Sequence, residues 1–131
     1  LNPIIECDVD QMVQVFSNLF KNAIDAMPRG GELSIEVNDA EAGRQVSFEV
    51  RDTGTGIAHE NMDKMFEPFF TTKENGQGTG LGLPIIYGIV KMHRGQIKVE
   101  SNNDASTGPT GTVFRVSIPR TLPRQDEPAE K

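Results

Sequence analysis

Three residues with oxygen-bearing side chains, Asn18, Asn22 and Asp25, recur at helical spacing in a stretch that is otherwise amphipathic. At about 100° per residue, Asn22 falls about 40° and Asp25 about 340° around the helix from Asn18, opposite an apolar stripe near about 170°. Asn and Asp are unfavourable in helix interiors, and their oxygens are ligands that magnesium accepts together with phosphate. The line is therefore either a solvated face or a site for a metal-bound phosphate.

Another carboxylate stands at the end of an alternating apolar segment. The apolar side chains of residues 46–50 share one parity, Asp52 continues it, and Thr53-Gly-Thr-Gly-Ile57 follows. A buried charge needs a hydrogen-bond donor, because burying it unpaired is costly. The donor is either internal, in a cap or a salt bridge, or a ligand group such as the exocyclic amine of adenine. Such a ligand could approach closely over Gly54 and Gly56, which have no side chains.

A glycine-rich stretch, Gly78-Thr-Gly-Leu-Gly-Leu-Pro-Ile85, precedes an apolar run. Its spacing does not match the dinucleotide fingerprint, because the third glycine position falls on Leu81 or Leu83. The chain contains no Gly-Lys pair, which excludes a P-loop, and no Asp-Phe-Gly, which argues against a protein kinase of the serine/threonine/tyrosine type. The stretch is either a flexible surface loop or a backbone cradle for phosphate at a helix N-terminus.

Hydrophobic periodicity predicts the elements that position these groups. An amphipathic helix begins after Asp8, which forms a capping-box pattern with Gln11, and it ends at residues 28–31. A second helix is predicted at 83–92, and a short helical patch at 60–65 interrupts the long connection 53–80, whose length favours a functional loop. Alternation predicts strands at 33–37, 46–50, 97–99 and 113–118, with an edge strand at 3–7.

These elements predict an α/β fold of the α+β kind. It is a two-layer sandwich in which a mostly antiparallel mixed sheet of about five strands is covered on one face by about three helices. The 131 residues and 36% hydrophobic content are typical of one folded domain, which we place at 1–119. Residues 120–131, with balanced charges and prolines, are predicted to be a disordered tail or linker.

Charge and composition exclude several classes of partner. The net charge of −6 argues against nucleic acid or an anionic membrane. No apolar run approaches the ~20 residues of a membrane span, so the domain is not expected to contact the bilayer directly. Cys7 is the single cysteine, which excludes a disulfide framework and fits a reducing compartment. Because the chain starts at Leu1 rather than Met, we expect it to be a piece of a longer protein.

Four motifs resemble the ATP-binding domain of bacterial two-component sensor histidine kinases. Asn18-Leu-Phe-Lys-Asn22-Ala-Ile-Asp-Ala resembles the N box, and Asp52-Thr-Gly-Thr-Gly-Ile57 the first glycine box. Phe66-Glu-Pro-Phe-Phe-Thr-Thr-Lys73 resembles the F box, in the form found in nitrogen-regulatory sensors, and Gly78-Thr-Gly-Leu-Gly-Leu83 the second glycine box. The resemblance covers roughly residues 5–119. The wider family includes gyrase, MutL and the ninety-kilodalton heat-shock chaperones.

The resemblance implies a site for ATP and Mg²⁺. Asn22 would coordinate the metal, with Asn18 beside the triphosphate and Lys73 as a phosphate contact. Asp52 would accept a hydrogen bond from the adenine amine, supported by Thr112, and residues 53–80 would form a mobile lid. The full set of implied ligand-binding residues is Asn18, Asn22, Asp25, Asp52, Gly54, Gly56, Ile57, Phe70, Thr71, Thr72, Lys73, Gly78, Thr79, Gly80, Leu81, Gly82, Leu83 and Thr112.

The implied activity is transfer of the ATP γ-phosphate to a histidine on a separate helical dimerisation and phosphoacceptor domain, with a response regulator downstream. The resemblance also implies a cytoplasmic, monomeric catalytic domain within a homodimeric parent that could carry a membrane anchor. His59 falls in the predicted lid and His93 ends the second helix, where a positive imidazole would interact favourably with the helix dipole. Neither is expected to be the phosphoacceptor.

Three other activities remain open. An ATPase of the gyrase, MutL or chaperone type needs a Glu four residues before the metal-binding Asn, and Asn18 at that position cannot act as a general base. Asp25 resembles an acid of those ATPases, whereas many histidine kinases carry a basic residue there. An anti-sigma-factor serine kinase is disfavoured by the amino-acid sequence of the F box. A nucleotide-binding pseudokinase is not separated from an active kinase by the sequence.

Overall fold

The computed structural model describes residues 4–67 and 82–121. Two α-helices and two single 3-10 turns, Glu41–Gly43 and His59–Asn61, occur within those ranges. The short helical patch predicted at 60–65 is reduced to the second of these turns, followed by irregular turn residues. The regular elements, in chain order, are α1 (Val9–Asp25), β1 (Leu33–Ala40), β2 (Gln45–Asp52), α2 (Gly82–Met92), β3 (Gln96–Asn102) and β4 (Gly111–Pro119).

The four strands form one sheet in the order β1-β2-β4-β3, and every neighbouring pair is antiparallel. The predicted two-layer architecture is confirmed, although the described chain holds four strands instead of about five. The edge strand predicted at 3–7 is wrong, because residues 4–7 have no strand structure. The backbone N–H of Glu6 donates to the carbonyl of Arg120 at 2.7 Å, so this segment lies beside the end of β4 without joining the sheet.

The core lies between the helices and the central strands. One face of β2 and β4 is buried throughout, and the apolar stripe of α1 packs onto it with Phe16 and Phe48 4.6 Å apart between ring centroids. β1 departs from the prediction that every strand has a covered face, because Leu33 and Ile35 are 36% and 51% exposed. The buried core residues are Met12, Val15, Leu19, Phe48, Val50, Met65, Ile86, Ile89, Val90, Phe114, Val116 and Ile118.

A buried histidine ties the start of α1 to the end of α2. Asp8 is the predicted N-cap and accepts from the Gln11 N–H at 3.1 Å. The Asp8 N–H does not bond the Gln11 side chain, as a full capping box would require, but donates to Nε2 of His93 at 3.1 Å. Nδ1 of His93 lies 2.8 Å from the Ile89 carbonyl, so Nδ1 carries the proton and the ring is neutral. His93 therefore does bond a carbonyl in the last turn of α2, but as a neutral ring and not as the predicted positive one.

Arg120, the first residue after the predicted domain boundary, bonds three segments of the described chain; the boundary at residue 119 stays a prediction. Its Nε donates to the Gly43 carbonyl at 2.5 Å, its Nη1 to the Ile4 carbonyl at 3.2 Å, and its Nη2 pairs with Asp39. This side chain joins the N-terminal segment to the β1–β2 hairpin. In the ranges that the structure covers, no helix is long and apolar enough to cross a bilayer.

Candidate functional site

Three polar side chains form a row across the end of the otherwise apolar sheet face. Asp52 of β2 lies opposite Thr112 of β4, and Thr112 lies opposite Ser101 of β3. Partners across antiparallel strands point to the same face, so the row faces the helices. Asp52 and Thr112 are 7% and 4% exposed, and the next pair inward, Val50 and Phe114, is apolar. The predicted inward parity of Asp52 is confirmed.

The Asp52 carboxylate is buried and is stabilised only by backbone donors in the described part of the chain. Its Oδ1 accepts from the Gly54 N–H at 2.9 Å. Burial raises the pKa of this carboxyl above its usual 3.8, against the opposing effect of hydrogen bonds from the backbone N–H groups of Gly54 and Thr112. None of the ion pairs among described residues includes Asp52. The carboxylate is thus an internal cap that retains an unneutralised charge.

Two glycines after Asp52 hold the chain against neighbouring backbone. A Cβ on Gly54 would collide with the carbonyl oxygen of Ala26, the C-cap of α1, and the Thr55 N–H donates to that same oxygen at 3.0 Å. Gly56, at φ 78°, would collide with the carbonyl of Asn102 at the end of β3. The close approach to neighbouring backbone therefore explains why glycine is needed at both positions, whether or not a ligand binds.

The polar line predicted on α1 runs toward the same place. Asn18 and Asn22 are half-buried and Asp25 is exposed at the last residue of the helix. Nδ2 of Asn22 is buried and has no hydrogen-bond partner among the described residues. Such atoms are uncommon in native proteins and call for a ligand, a water or an ion. Because Ala26 lies one turn beyond Asn22 and touches Gly54, the orphaned amide lies at the end of α1 that borders the Asp52 segment.

Ser101 is part of the site and was missed by the sequence interpretation, which ended the strand at Val99. Its Oγ accepts from the Ile57 N–H at 2.7 Å, donates to the Gly111 carbonyl at 3.0 Å, and lies 2.8 Å from Oγ1 of Thr112. The available signal was parity: Ser101 continues the inward positions of β3, as Asp52 continues those of β2.

The remaining candidates divide into those that the structure describes and those that lie outside it. The glycine-rich stretch ends at a helix N-terminus as predicted, because α2 begins at Gly82. Leu83 and Ile57 are half-buried and pack against the core. The structure therefore brings Gly54, Gly56, Ile57 and Thr112 together at the Asp52 end of the sheet, through backbone contacts and through Ser101, but it does not test ligand binding. Asn22 lies one turn before Ala26, which contacts Gly54, and Asn18 lies one turn further back on α1. The candidates that lie outside the described residues are Phe70, Thr71, Thr72, Lys73, Gly78, Thr79, Gly80 and Leu81.

Comparison with known proteins gives relatives of one kind. Residues 7–122 match the family "Histidine kinase-, DNA gyrase B-, and HSP90-like ATPase". The chain is 43% identical to sensor kinase CckA of Brucella abortus across 90% of its own length and 13% of that protein. The curated relatives are all longer, with this chain spanning 13% to 25% of their length.

Two solved structures share the fold. The nucleotide-free catalytic domain of histidine kinase ThkA superposes with a TM-score of 0.74 at 38% identity, covering 90% of this chain and 72% of that one. Full-length ShkA in complex with AMPPNP gives a TM-score of 0.69 at 26% identity, covering 86% of this chain and 22% of that one. A family match over nearly the whole described chain, supported by a homologous catalytic domain of the same fold, leads to one conclusion: this chain belongs to the family of histidine kinase-, DNA gyrase B- and HSP90-like ATPases.

Proposed function

We propose that this chain binds ATP with Mg²⁺ and donates the γ-phosphate to a histidine on a separate helical phosphoacceptor domain of the same protein. The observation that carries the proposal is the buried Asp52 carboxylate, which has no ion-pair partner among the described residues, together with the orphaned amide of Asn22 near the end of α1 that contacts Gly54 through Ala26. Burying both groups costs stability, and a bound ligand with a hydrogen-bond donor at one end and a phosphate oxygen at the other would satisfy both, because the orphaned Nδ2 of Asn22 needs an acceptor. The Oδ1 of the same amide would remain available to a metal ion.

The adenine end of the ligand is assigned to the row formed by Asp52 and Thr112. A carboxylate accepts hydrogen bonds and cannot donate them when ionised, which suits the exocyclic amine of adenine. The apolar pair Val50 and Phe114 lies one step further into the sheet. A flat purine ring edge would therefore meet one charged acceptor in an otherwise apolar surrounding, which is the usual composition of a small-molecule site.

The phosphate end is assigned to Asn22, Asn18 and the N-terminus of α2 at Gly82. No cluster of three His, Cys, Asp or Glu side chains capable of holding a metal occurs in the described ranges. This donor set fits Mg²⁺ when phosphate is present, because that ion commonly takes one or two protein ligands and fills its other positions with phosphate oxygens and water. Bound there, the metal would neutralise phosphate charge, and the side chain of Asn22 would hold it.

Transfer is favoured over hydrolysis by the residue at position 18. Hydrolysis needs a group that removes a proton from water, and the amide of Asn18 cannot accept one. Asn18 can orient a phosphate oxygen by donating a hydrogen bond from its amide. Phosphoryl transfer depends chiefly on positioning and charge stabilisation, so the described residues suffice to hold the donor, and the acceptor has to come from elsewhere.

The partners follow from the kind of relatives found. CckA is named a sensor kinase and ThkA a histidine kinase, and this chain spans a minor part of the curated relatives. We therefore assign the acceptor histidine to another domain of the parent and a response regulator as the downstream recipient. We assign the reaction to the cytoplasm, where ATP is available and where the single Cys7 would stay reduced.

Titration calorimetry with ATP, with and without Mg²⁺, tests the proposal. Asp52→Asn should lose most nucleotide binding, because it places an amide donor against the adenine amine, a mismatch of roughly 1–3 kcal/mol. Asn22→Ala should instead remove the magnesium dependence while leaving adenosine binding nearly intact. Asp10→Asn is the matched control, since this exposed carboxylate lies in the first turn of α1 and should bind as the wild type does. Wild-type affinity in Asp52→Asn would refute the adenine assignment.

A further inference from the structure

We propose that Ser101 is a positioning residue that sets the base specificity of the site, by fixing the hydroxyl of Thr112 as a hydrogen-bond acceptor toward the nucleobase. The inference rests on the proposed nucleotide site at Asp52 and deepens it. Ser101, Thr112 and Asp52 occupy one row across β3, β4 and β2, and all three side chains face the same side of the sheet.

The direction of each hydrogen bond follows from counting protons. The Ser101 hydroxyl has one proton and three close partners. The Ile57 N–H can only donate to it, at 2.7 Å, and the Gly111 carbonyl can only accept its proton, at 3.0 Å. The third contact, 2.8 Å to Oγ1 of Thr112, then requires Thr112 to donate. The single hydroxyl proton of Thr112 is thereby used inside the row, and its remaining lone pairs can only accept.

This arrangement makes the row an acceptor surface for the ligand. The Asp52 carboxylate accepts from the Gly54 N–H at 2.9 Å and, when ionised, has no proton to donate. Beside it, Thr112 also presents lone pairs. A 6-amino purine offers N–H donors to these atoms, whereas a 6-oxo purine would place its carbonyl oxygen against two acceptors. Unpaired buried polar groups of this kind are what allow a site to reject a near-isosteric ligand.

Ser101 also couples this specificity to the start of the segment that follows β2. The same Ser101 oxygen accepts from both the Thr112 hydroxyl and the Ile57 N–H. Ile57 directly follows Gly56, which lies against Asn102. Removing the hydroxyl therefore frees three groups, one of which is the Gly111 carbonyl, which loses its donor. The Ile57 N–H loses its acceptor, and the Thr112 hydroxyl becomes able to rotate and donate to a ligand oxygen.

The test compares ADP with inosine diphosphate, binding to the 131-residue chain measured by calorimetry. Wild type should prefer ADP. Ser101→Ala should weaken ADP binding about tenfold and weaken inosine diphosphate binding much less, so that the ratio of the two dissociation constants falls. Ser101→Thr, which keeps a hydroxyl, should restore the wild-type ratio. Ser101→Cys, with a weak thiol donor and acceptor, is the second variant if the Ala variant does not fold, and its ratio should also fall.

Ser106→Ala is the matched control, because it removes an exposed hydroxyl from the β3–β4 connection that bonds only locally, to Asp104. It should leave both affinities and their ratio unchanged. A purely structural role for Ser101 would weaken both nucleotides equally, and an unchanged ratio in Ser101→Ala or Ser101→Cys overturns the inference while the proposed function stands. A wild-type chain that binds neither nucleotide overturns the proposed function, and this inference with it.

Discussion

At the scale of single residues, the Asp52 carboxylate is buried at a cost to the stability of its charged form. The carboxyl is 7% exposed, and its burial raises its pKa above 3.8 despite two backbone donors. The charged form is therefore less favourable in the folded chain than in the unfolded one. Groups of this kind are characteristic of functional sites, because an interaction reserved for a ligand is not used for folding.

The raised pKa of Asp52 determines the sign of its contribution to the pH dependence of stability. Well below pH 3.8, the ordinary pKa of this carboxyl, the group is protonated in both states and contributes nothing. As pH rises from there through the raised folded-state pKa, the folded chain binds more protons than the unfolded chain, so the free energy of unfolding falls. We expect the wild type to lose stability relative to Asp52→Asn across this window, measured by urea unfolding at a series of pH values. A difference that stays constant or grows with pH would contradict the burial argument.

At the scale of elements, the residues that directly follow β2 pack against α1 and β3. Gly54 lies against the C-cap of α1 and Gly56 against the end of β3, and Ile57 donates to Ser101. The predicted lid at 53–80 falls partly outside the described residues and stays a prediction. Its first five residues, however, contact α1 and β3 through hydrogen bonds of Thr55 and Ile57 and the close approach of Gly54 and Gly56.

Two glycine-to-alanine substitutions are expected to change stability in opposite directions, one through steric overlap and the other through helix propensity. Gly54→Ala should destabilise the chain by about 1–3 kcal/mol, because the added methyl group meets the Ala26 backbone and neither side can yield cheaply. Gly88→Ala is the matched substitution inside α2, where an added Cβ has no neighbour within 4 Å. It should stabilise by roughly 0.5–1 kcal/mol, since glycine is unfavourable within a helix. Both are measured by denaturant unfolding, and a neutral Gly54→Ala would refute the packing explanation.

At the scale of the whole molecule, the described chain can hold a phosphate donor but offers no positioned acceptor histidine. His93 is 3% exposed and both ring nitrogens are engaged, with the Asp8 N–H and the Ile89 carbonyl. His59 is the first residue of a single 3-10 turn, two residues after Ile57. Neither is placed on a separate element that could approach the end of α1 in line with a phosphate, which is what phosphoryl transfer requires.

The chain alone should therefore bind ATP without labelling itself. Incubation with γ-labelled ATP is expected to give no acid-labile phosphohistidine, and adding the helical acceptor domain of the parent should give label on that domain. His59→Gln is the control, because this exposed imidazole is the more accessible of the two. Label on the isolated chain that disappears in His59→Gln would contradict this division between donor and acceptor.

Features that depend on local periodicity could be predicted from the residues alone. Alternation over 46–50 was enough to place Asp52 on the buried face, and the spacing of Asn18, Asn22 and Asp25 was enough to place them on one line of α1. The N-cap at Asp8 and the start of α2 at Gly82 were found within one residue. These features need only the geometry of one strand or one helix.

Features that join distant segments of the chain could not be predicted from the residues and were found in the folded molecule. The neutral state of His93 depends on a partner 85 positions away in the chain, and the role of Ser101 depends on the β3–β4 register and on a contact 44 positions away. The exposure of Ile35 depends on where the helices lie across the sheet. No residue pattern encodes these relations locally, because register and helix placement are set by the packing of the whole core.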